Sequence, residues 1–408
     1  MLKVLFVTWD GSAQSYYESL FLPLLGKLRA WNIEVHALQL TWGTPKQVES
    51  SRRAALTHGV GYTSFAFPTR IRKLGFPALA AAATALMVAL CKKHKINVLM
   101  PRSILPSGMA LAALPLLPGV RLLYESDGLM ADERADFAGW SREGTLYRAL
   151  LAVEAHTVRK AHAVTTRTRA ARDILLERGG AAVDASKLYV IPNAKDPEQF
   201  PKVSVTEREQ VRSLAGVAAN APWVLYIGSI GPQYRLREML EFFAKVKQLR
   251  PDARFHIATY QPDAVHALPQ ARELSVVTTT LSPKEVPTWI AAADVGLAFR
   301  TESLSQQGVA PIKVVEYMQG GLPAIASPVG DLREQLGRSE ALRLISKFDH
   351  ESLEQAARWF VEQALPARSQ LRDRCTELAS SVFSFEASVK AYGQAIRHAA
   401  HGSPSAEG

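Results

Sequence analysis

Ala310-Pro311-Ile312-Lys313-Val314-Val315-Glu316-Tyr317-Met318-Gln319-Gly320-Gly321-Leu322-Pro323-Ala324-Ile325-Ala326-Ser327 is the stretch on which the fold turns. Pro311 suits the first turn of a helix, where its missing N–H costs nothing. Val314, Val315 and Met318 recur at helical spacing, Gly320-Gly321 supplies a left-handed stop, and Leu322 to Ala326 follows as a short apolar strand. The free N–H groups of such a helix start attract an anion. Lys313 places a positive charge in that first turn, which the helix dipole disfavours unless an anionic ligand is close. Glu316, three residues on and on the same face, can accept hydrogen bonds from vicinal hydroxyls. Together these features describe a nucleotide-sugar site. A plain surface ion pair between Lys313 and Glu316 is the other reading of the same spacing.

At 408 residues the chain exceeds one ordinary core, which predicts two domains. Apolar residues make up 48% and charged residues 21%, the balance of a folded chain rather than a disordered one. Cys91 and Cys375 are too few for a disulfide framework or a metal cluster, which fits a reducing compartment. The apolar start Met1 to Val7 runs straight into Thr8-Trp9-Asp10, so no signal peptide is expected. The uncharged runs Leu74–Cys91 and Ser103–Val120 barely reach spanning length and are rich in alanine or broken by proline. They are read as buried helices.

The net charge of +10 is unevenly placed: residues 1–200 hold 25 Lys/Arg against 16 Asp/Glu. From Ser51 to Met100 there are eight basic residues, Arg70, Arg72, Lys73, Lys92 and Lys93 among them, and no acidic one. That segment favours an anionic surface such as a membrane. A solvated face is the alternative. Nucleic acid is disfavoured, because no aromatic interleaving or groove-reading motif accompanies the charge.

Leu2 to Thr8 reads as a buried strand, Tyr16 to Ala30 as a helix and Ile33 to Leu40 as a second strand, the repeating unit of a parallel sheet. The loop Asp10-Gly11-Ser12 lies where such sheets bind ligands, and Gly11 lets a backbone pass close to a bound group. No G-x-G-x-x-G is present, which argues against a dinucleotide. Tyr124-Glu125-Ser126-Asp127-Gly128-Leu129-Met130-Ala131-Asp132-Glu133-Arg134 is the most polar strand exit, and either Glu125 or Asp127 can orient or deprotonate a hydroxyl. Asp132 is also readable as a helix cap with surface partners. Gly228-Ser229-Ile230-Gly231-Pro232-Gln233-Tyr234-Arg235 brings backbone N–H groups to an anion, and Arg235 suits a diphosphate.

P-x-K-x-x-E-Y-M-x-x-G-x-P-A-I over Pro311 to Ile325 resembles the donor-site signature of GT-B glycosyltransferases of the family 4 type. Ile191 to Phe200 resembles the family's I-P-N-x-x-D-x-x-x-F, and Gly228-Ser229 with Tyr234 resembles the G-S-x-x-x-x-Y of its polysaccharide-cluster branch. The Glu125–Arg134 segment is similar to that branch's D-x-R-G-x-x-x-D-E-R, with Asp127 reversing an arginine's charge. The family's further glutamate, eight residues before Glu316, is here Gly308.

The resemblance implies an α/β protein of two doubly wound Rossmann-like domains facing a central cleft. The expected bounds are 1–200 on the acceptor side, 201–381 on the donor side, a helix at 382–400 returning to the first domain, and a tail at 401–408. It implies a retaining transfer from a UDP- or GDP-sugar to a glycan, on a polyprenyl diphosphate, in exopolysaccharide, capsule or lipopolysaccharide synthesis. No cofactor or essential metal is expected. The place of action would be the cytoplasmic face of the membrane. Glu316 would hold the donor ribose, and Lys313 with Arg235 or Arg300 the diphosphate. Gly11, Ser12, Gly228, Ser229, Tyr234, Ser305, Pro311 and Ile312 would line the donor site, and Asp127 or Glu125 would face the acceptor. A nucleotide-sugar epimerase of the same fold is the alternative within the class; a basic nucleic-acid-binding protein is the one outside it.

Overall fold

The computed structural model describes residues 1–10, 16–67 and 75–402. Gly11, Ser12, Arg70, Arg72 and Lys73 lie outside the described residues. Contact density divides the chain into two units: 1–192 with Gln307–Val309 and Glu386 onward, and Asn193–Gln306 with Ala310–Phe385.

The first unit is built on seven strands: β1 (Leu2–Trp9), β2 (Ile33–Thr41), β3 (Gly61–Ala66), β4 (Val98–Pro101), β5 (Arg121–Glu125), β6 (Ala163–Thr166) and β7 (Leu188–Val190). All pair parallel in the order β3-β2-β1-β4-β5-β6-β7. The second unit has β8 (Trp223–Ile227), β9 (Arg254–Ala258), β10 (Val277–Thr279), β11 (Val295–Ala298), β12 (Ala324–Ala326) and β13 (Leu342–Leu344), also parallel, in the order β10-β9-β8-β11-β12-β13. Strand order reverses between β1 and β4 in one sheet and between β8 and β11 in the other. At such points the connections leave to opposite faces, and a crevice opens beyond the C-terminal strand ends.

The central strands β1 and β8 are apolar through their middles because helices cover both faces. Val4 to Val7 of β1 and Trp223 to Tyr226 of β8 have no exposed surface. The Leu236–Leu249 helix shows how the covering works: Leu236, Met239, Leu240, Phe242, Phe243 and Val246 form one buried stripe. Asp294, 2% exposed at the entry to β11, accepts from Arg208 (2.7 Å), Arg212 (3.1 Å), Arg368 (3.2 Å) and the Trp223 N–H (2.9 Å). It is a structural hub at the N-terminal end of the sheet, away from the ligand edge.

Several local expectations are corrected. The Tyr16–Ala30 helix is a π turn (Tyr17–Phe21), an α-helix (Leu22–Lys27) and a 3₁₀ turn (Leu28–Trp31). Contact density groups Asn193 onward with the second unit, where Asn193 bonds the Ala310 carbonyl and Lys195 bonds Glu316 of the Ile312–Gln319 helix. A helix at Val205–Leu214, with a Ser204/Glu207 capping box, follows the β7 turn. The final helix, Phe385–His401, extends one residue beyond the expected 400. Phe76–His94 is long and apolar enough to cross a membrane by length and composition, yet it buries only Ala83, Met87, Leu90 and Cys91. Its outer face is mostly alanine, whose exposure costs little, and ends at the exposed Lys92 and Lys93.

In the first unit the strand exits are joined by a buried charge network. Arg167, 3% exposed, donates to Glu125 Oε1 (2.5 Å), Asp127 Oδ1 (3.1 Å), the Ile191 carbonyl (3.2 Å) and the Tyr392 hydroxyl (2.7 Å). Tyr392 in turn donates to Glu125 Oε2 (2.7 Å), which ties the final helix to β5. Replacing Arg167 by Met leaves the buried Glu125 without a cation and is expected to cost roughly 3–5 kcal/mol. Hydrogen exchange of the β5 and β6 amides in denaturant will read that loss, and adding Glu125→Gln will recover part of it. A change below about 1 kcal/mol would show that the network contributes nothing net.

Candidate active site

In the second unit the predicted donor residues gather at the β8/β11 reversal. Gly228 leaves β8 at φ +145°, a conformation open essentially to glycine. A Cβ there would lie 2.5 Å from Lys313 Cε and 2.7 Å from its Nζ, so the lysine stem occupies the space that a side chain would take. The Ile312–Gln319 helix is held over the strand ends by Tyr317. Its hydroxyl donates to the Leu297 carbonyl (3.1 Å) and accepts from the Ile227 N–H (3.4 Å), and its ring lies against Gly296, where a Cβ would meet it at 2.6 Å. One buried tyrosine thus fixes the helix to both strands of the reversal. Pro311 stands at the cap of this helix rather than in its first turn.

Lys313 Nζ sits 4.4 Å from the centre of the Tyr234 ring, and the Arg300 guanidinium lies 4.9 Å from the same ring. Arg300 donates to Gln306 Oε1 (2.6 Å) and to the Tyr234 hydroxyl (3.4 Å). Burial holds the Lys313 ammonium below its ordinary value, with Arg300 adding to the shift. Two cations converging on one small pocket, lined by Tyr226, Tyr234, Arg300, Pro311, Ile312 and Lys313, suit a dianionic group. Arg235 does not join them. Its guanidinium is taken by Glu238 (2.5 Å) and the Arg300 carbonyl (3.2 Å) and stacks on Phe348. Of the two arginines proposed, Arg300 has the geometry.

Ser229 contributes its carbonyl to the Tyr226 hydroxyl (2.6 Å), and Ser305 is 2% exposed beside Ser303. Glu316 accepts from Lys195 Nζ at 2.9 Å. The Lys313–Glu316 surface pair is therefore not formed; each partner has turned to a different neighbour. Lys195 escaped the sequence reading because it is separated from Glu316 by a whole sheet's worth of chain.

The first unit collects charge after β4, β5 and β6. Arg102 donates to Asp127 through Nε (2.9 Å) and Nη2 and to Thr8 Oγ1 (3.1 Å), and lies over Phe21 at 4.8 Å. Glu125 has no exposed surface and is held by Arg167, Thr165 and Tyr392, so it cannot face an acceptor and is corrected to a structural anchor. Burial raises its carboxyl above the usual value, against the pull of Arg167. Asp127 keeps 19% side-chain exposure. Burial alone would raise its carboxyl, but Arg102 and Arg167 hold it below the ordinary value, which makes it a poor base and a good orienting group. Asp132 is no surface cap either: it is fully buried and pairs with Arg178 (2.7 Å) and Tyr147 (2.8 Å). Arg102 and Arg167 were passed over because each reads as an ordinary residue at a strand exit.

Gly308 belongs to the first unit, and a Cβ there would lie 3.0 Å from Leu129 Cγ. A glutamate at this position would have to displace Leu129. Among the described residues no group of three or more His, Cys, Asp or Glu side chains could hold a metal ion.

The glycosyl transferases group 1 profile matches residues 221–363, the stretch that carries this pocket, and a glycosyl transferase 4-like domain profile matches 21–194. The chain belongs to the group 1 glycosyltransferases. It is an enzyme of the transferase class with the two-domain GT-B architecture. Similar solved structures include HepE of Anabaena with UDP and glucose (17% identity, 97% of this chain and 100% of that one, TM-score 0.74). A glycosyltransferase of Rickettsia africae aligns at 12% identity over 98% and 99% (TM-score 0.75). WaaG, a glycosyltransferase involved in lipopolysaccharide biosynthesis, aligns at 16% over 96% and 99% (TM-score 0.69). No curated protein matches the chain in sequence.

For this glycosyltransferase, Gly228→Ala is expected to lower nucleoside diphosphate affinity about tenfold or more while leaving both sheets folded, because the methyl must push Lys313 out of place. Isothermal titration calorimetry beside a circular dichroism melt will check it.

Proposed function

We propose that the protein transfers a sugar, with retention of anomeric configuration, from a UDP-sugar to a glycan carried on a polyprenyl diphosphate, in the synthesis of a surface polysaccharide. The observation that carries the donor assignment is the Lys313–Tyr234–Arg300 cluster at the β8/β11 reversal, with Glu316 one turn from Lys313. HepE, crystallised with UDP and with UDP-glucose, supports uridine as the base. In the reaction the bond between the anomeric carbon and the diphosphate oxygen breaks, and the acceptor hydroxyl oxygen bonds that carbon. The hydroxyl proton leaves with the nucleoside diphosphate. Lys313 and Arg300 stabilise the charge that builds on the departing diphosphate without an essential metal. Such electrostatic stabilisation usually lowers the barrier more than any other single effect. Glu316 takes the ribose hydroxyls. Asp127, fixed by two arginines, orients the acceptor rather than deprotonating it.

Thermal stabilisation by UDP, GDP, ADP and their sugars tests the donor. A rise with UDP alone is expected, and a rise with GDP alone would reassign the base. Glu316→Ala and Lys313→Ala should each lower kcat/KM by at least about a hundredfold. Unchanged activity in either would remove the donor-site assignment.

The acceptor reading includes contact with the cytoplasmic leaflet. The alanine-faced Phe76–His94 helix, ending in Lys92 and Lys93, supports it, with Arg70, Arg72 and Lys73 adjacent in sequence. Co-sedimentation with vesicles containing anionic phospholipid should be strong at low salt and fall in Lys92→Glu/Lys93→Glu. Equal binding to neutral vesicles would overturn the electrostatic part.

A further inference from the structure

The turn after β7 grips the Ile312–Gln319 helix along its length. Asn193 Nδ2 donates to the Ala310 carbonyl (2.7 Å) just before the helix begins, Lys195 Nζ reaches Glu316 Oε1 (2.9 Å), and Gln319 Nε2 reaches back to the Lys195 carbonyl (3.5 Å). Lys195 is 6% exposed and Glu316 keeps 18% side-chain exposure, so the ammonium is buried and the carboxylate opens outward. A buried ion pair is a weak device for stability, since desolvation offsets most of its attraction. An aliphatic side chain would fill the same space without that cost. What the lysine does supply is direction: it holds Oε1 of a carboxylate whose side chain keeps 18% exposure.

We propose that Lys195 is a positioning residue for the donor, fixing Glu316 so that its Oε2 meets the vicinal hydroxyls of the ribose. It thereby sets the preference for ribonucleotide over 2′-deoxyribonucleotide donors. The proposal rests on Glu316 as the ribose ligand. A carboxylate locked before binding loses no rotamer freedom when the diol arrives, and a hydrogen bond to a charged group is worth more than one between neutral groups. Removing the lysine frees Glu316 to turn toward solvent. Its effect therefore falls on the diol and spares the diphosphate, which is assigned to Lys313, one turn away on the helix, and Arg300.

The test is calorimetric titration of the full-length protein with UDP and 2′-deoxy-UDP, with the guanosine pair run in parallel, on the wild type, Lys195→Met, Lys195→Gln, Glu316→Gln and the Lys195→Met/Glu316→Gln double variant. Wild type is expected to prefer the ribonucleotide by about tenfold or more. In Lys195→Met that preference should collapse to about threefold or less, through weaker ribonucleotide binding and unchanged deoxyribonucleotide binding. Lys195→Gln, which keeps a neutral donor, should fall between. In the Glu316→Gln background, losing Lys195 should change nothing further. Both ligands are read on one preparation, so partial unfolding scales them alike and cannot mimic the effect. A full ribose preference in Lys195→Met, or an equal loss for both nucleotides, overturns the role of Lys195 and leaves the donor site standing. An undiminished preference in Glu316→Gln overturns the assignment of Glu316 itself.

Discussion

A parallel strand covered on both faces has nowhere to put a polar side chain except its ends. This constraint governs both sheets. β1 and β8, each beside the point where strand order reverses, are apolar through their middles, and the charged clusters stand at strand ends. Lys313, Arg300 and the Gly228 turn stand at one such edge; Arg102, Asp127 and Arg167 stand at the other. The chemistry of the molecule follows from where burial ends.

The two edges use their charges differently. In the first unit, cation and anion are matched: Arg102 and Arg167 surround Asp127 and Glu125, Phe21 lies against both guanidinium groups, and Tyr392 closes the set from the final helix. Such a network is internally satisfied and holds loops in place. In the second unit the cations gather on the aromatic ring of Tyr234 rather than on a carboxylate. Attraction to a ring face keeps two positive charges close without neutralising them. Their field suits the diphosphate of the proposed donor.

Tyr317 and Lys195 hold the Ile312–Gln319 helix from two sides. The tyrosine fixes it to the backbone of β8 and β11, and the turn after β7 fixes its outer face. Holding a short helix by both faces limits the motion of Lys313 and Glu316 to their own rotamers, a condition for precise ligand contact. Gly296 and Gly228 are needed because ring and lysine come closer to the backbone than any Cβ allows.

Much of this was legible in the residues alone. Apolar strands alternating with an amphipathic helix marked the repeating unit of a parallel sheet, and the run from Pro311 to Gly321 marked a helix, because these signals are local and repeat every few residues. β3 and β13 were not read, since Gly61–Ala66 is only half-buried at a sheet edge and Leu342–Leu344 is three residues long. Which arginine turns into the pocket was also not read from the residues: each has a local partner, Glu238 for Arg235 and Gln306 for Arg300, and it is Tyr234, far back in the chain, that marks the pocket beside Arg300. Glu125 and Asp127, two residues apart, were equal until the sheet buried one and exposed the edge of the other. Local pattern determines which elements form. Tertiary contacts, such as Arg167 with Glu125, Tyr392 with Glu125 and Lys195 with Glu316, carry no local signature and decide which charges are spent on the fold.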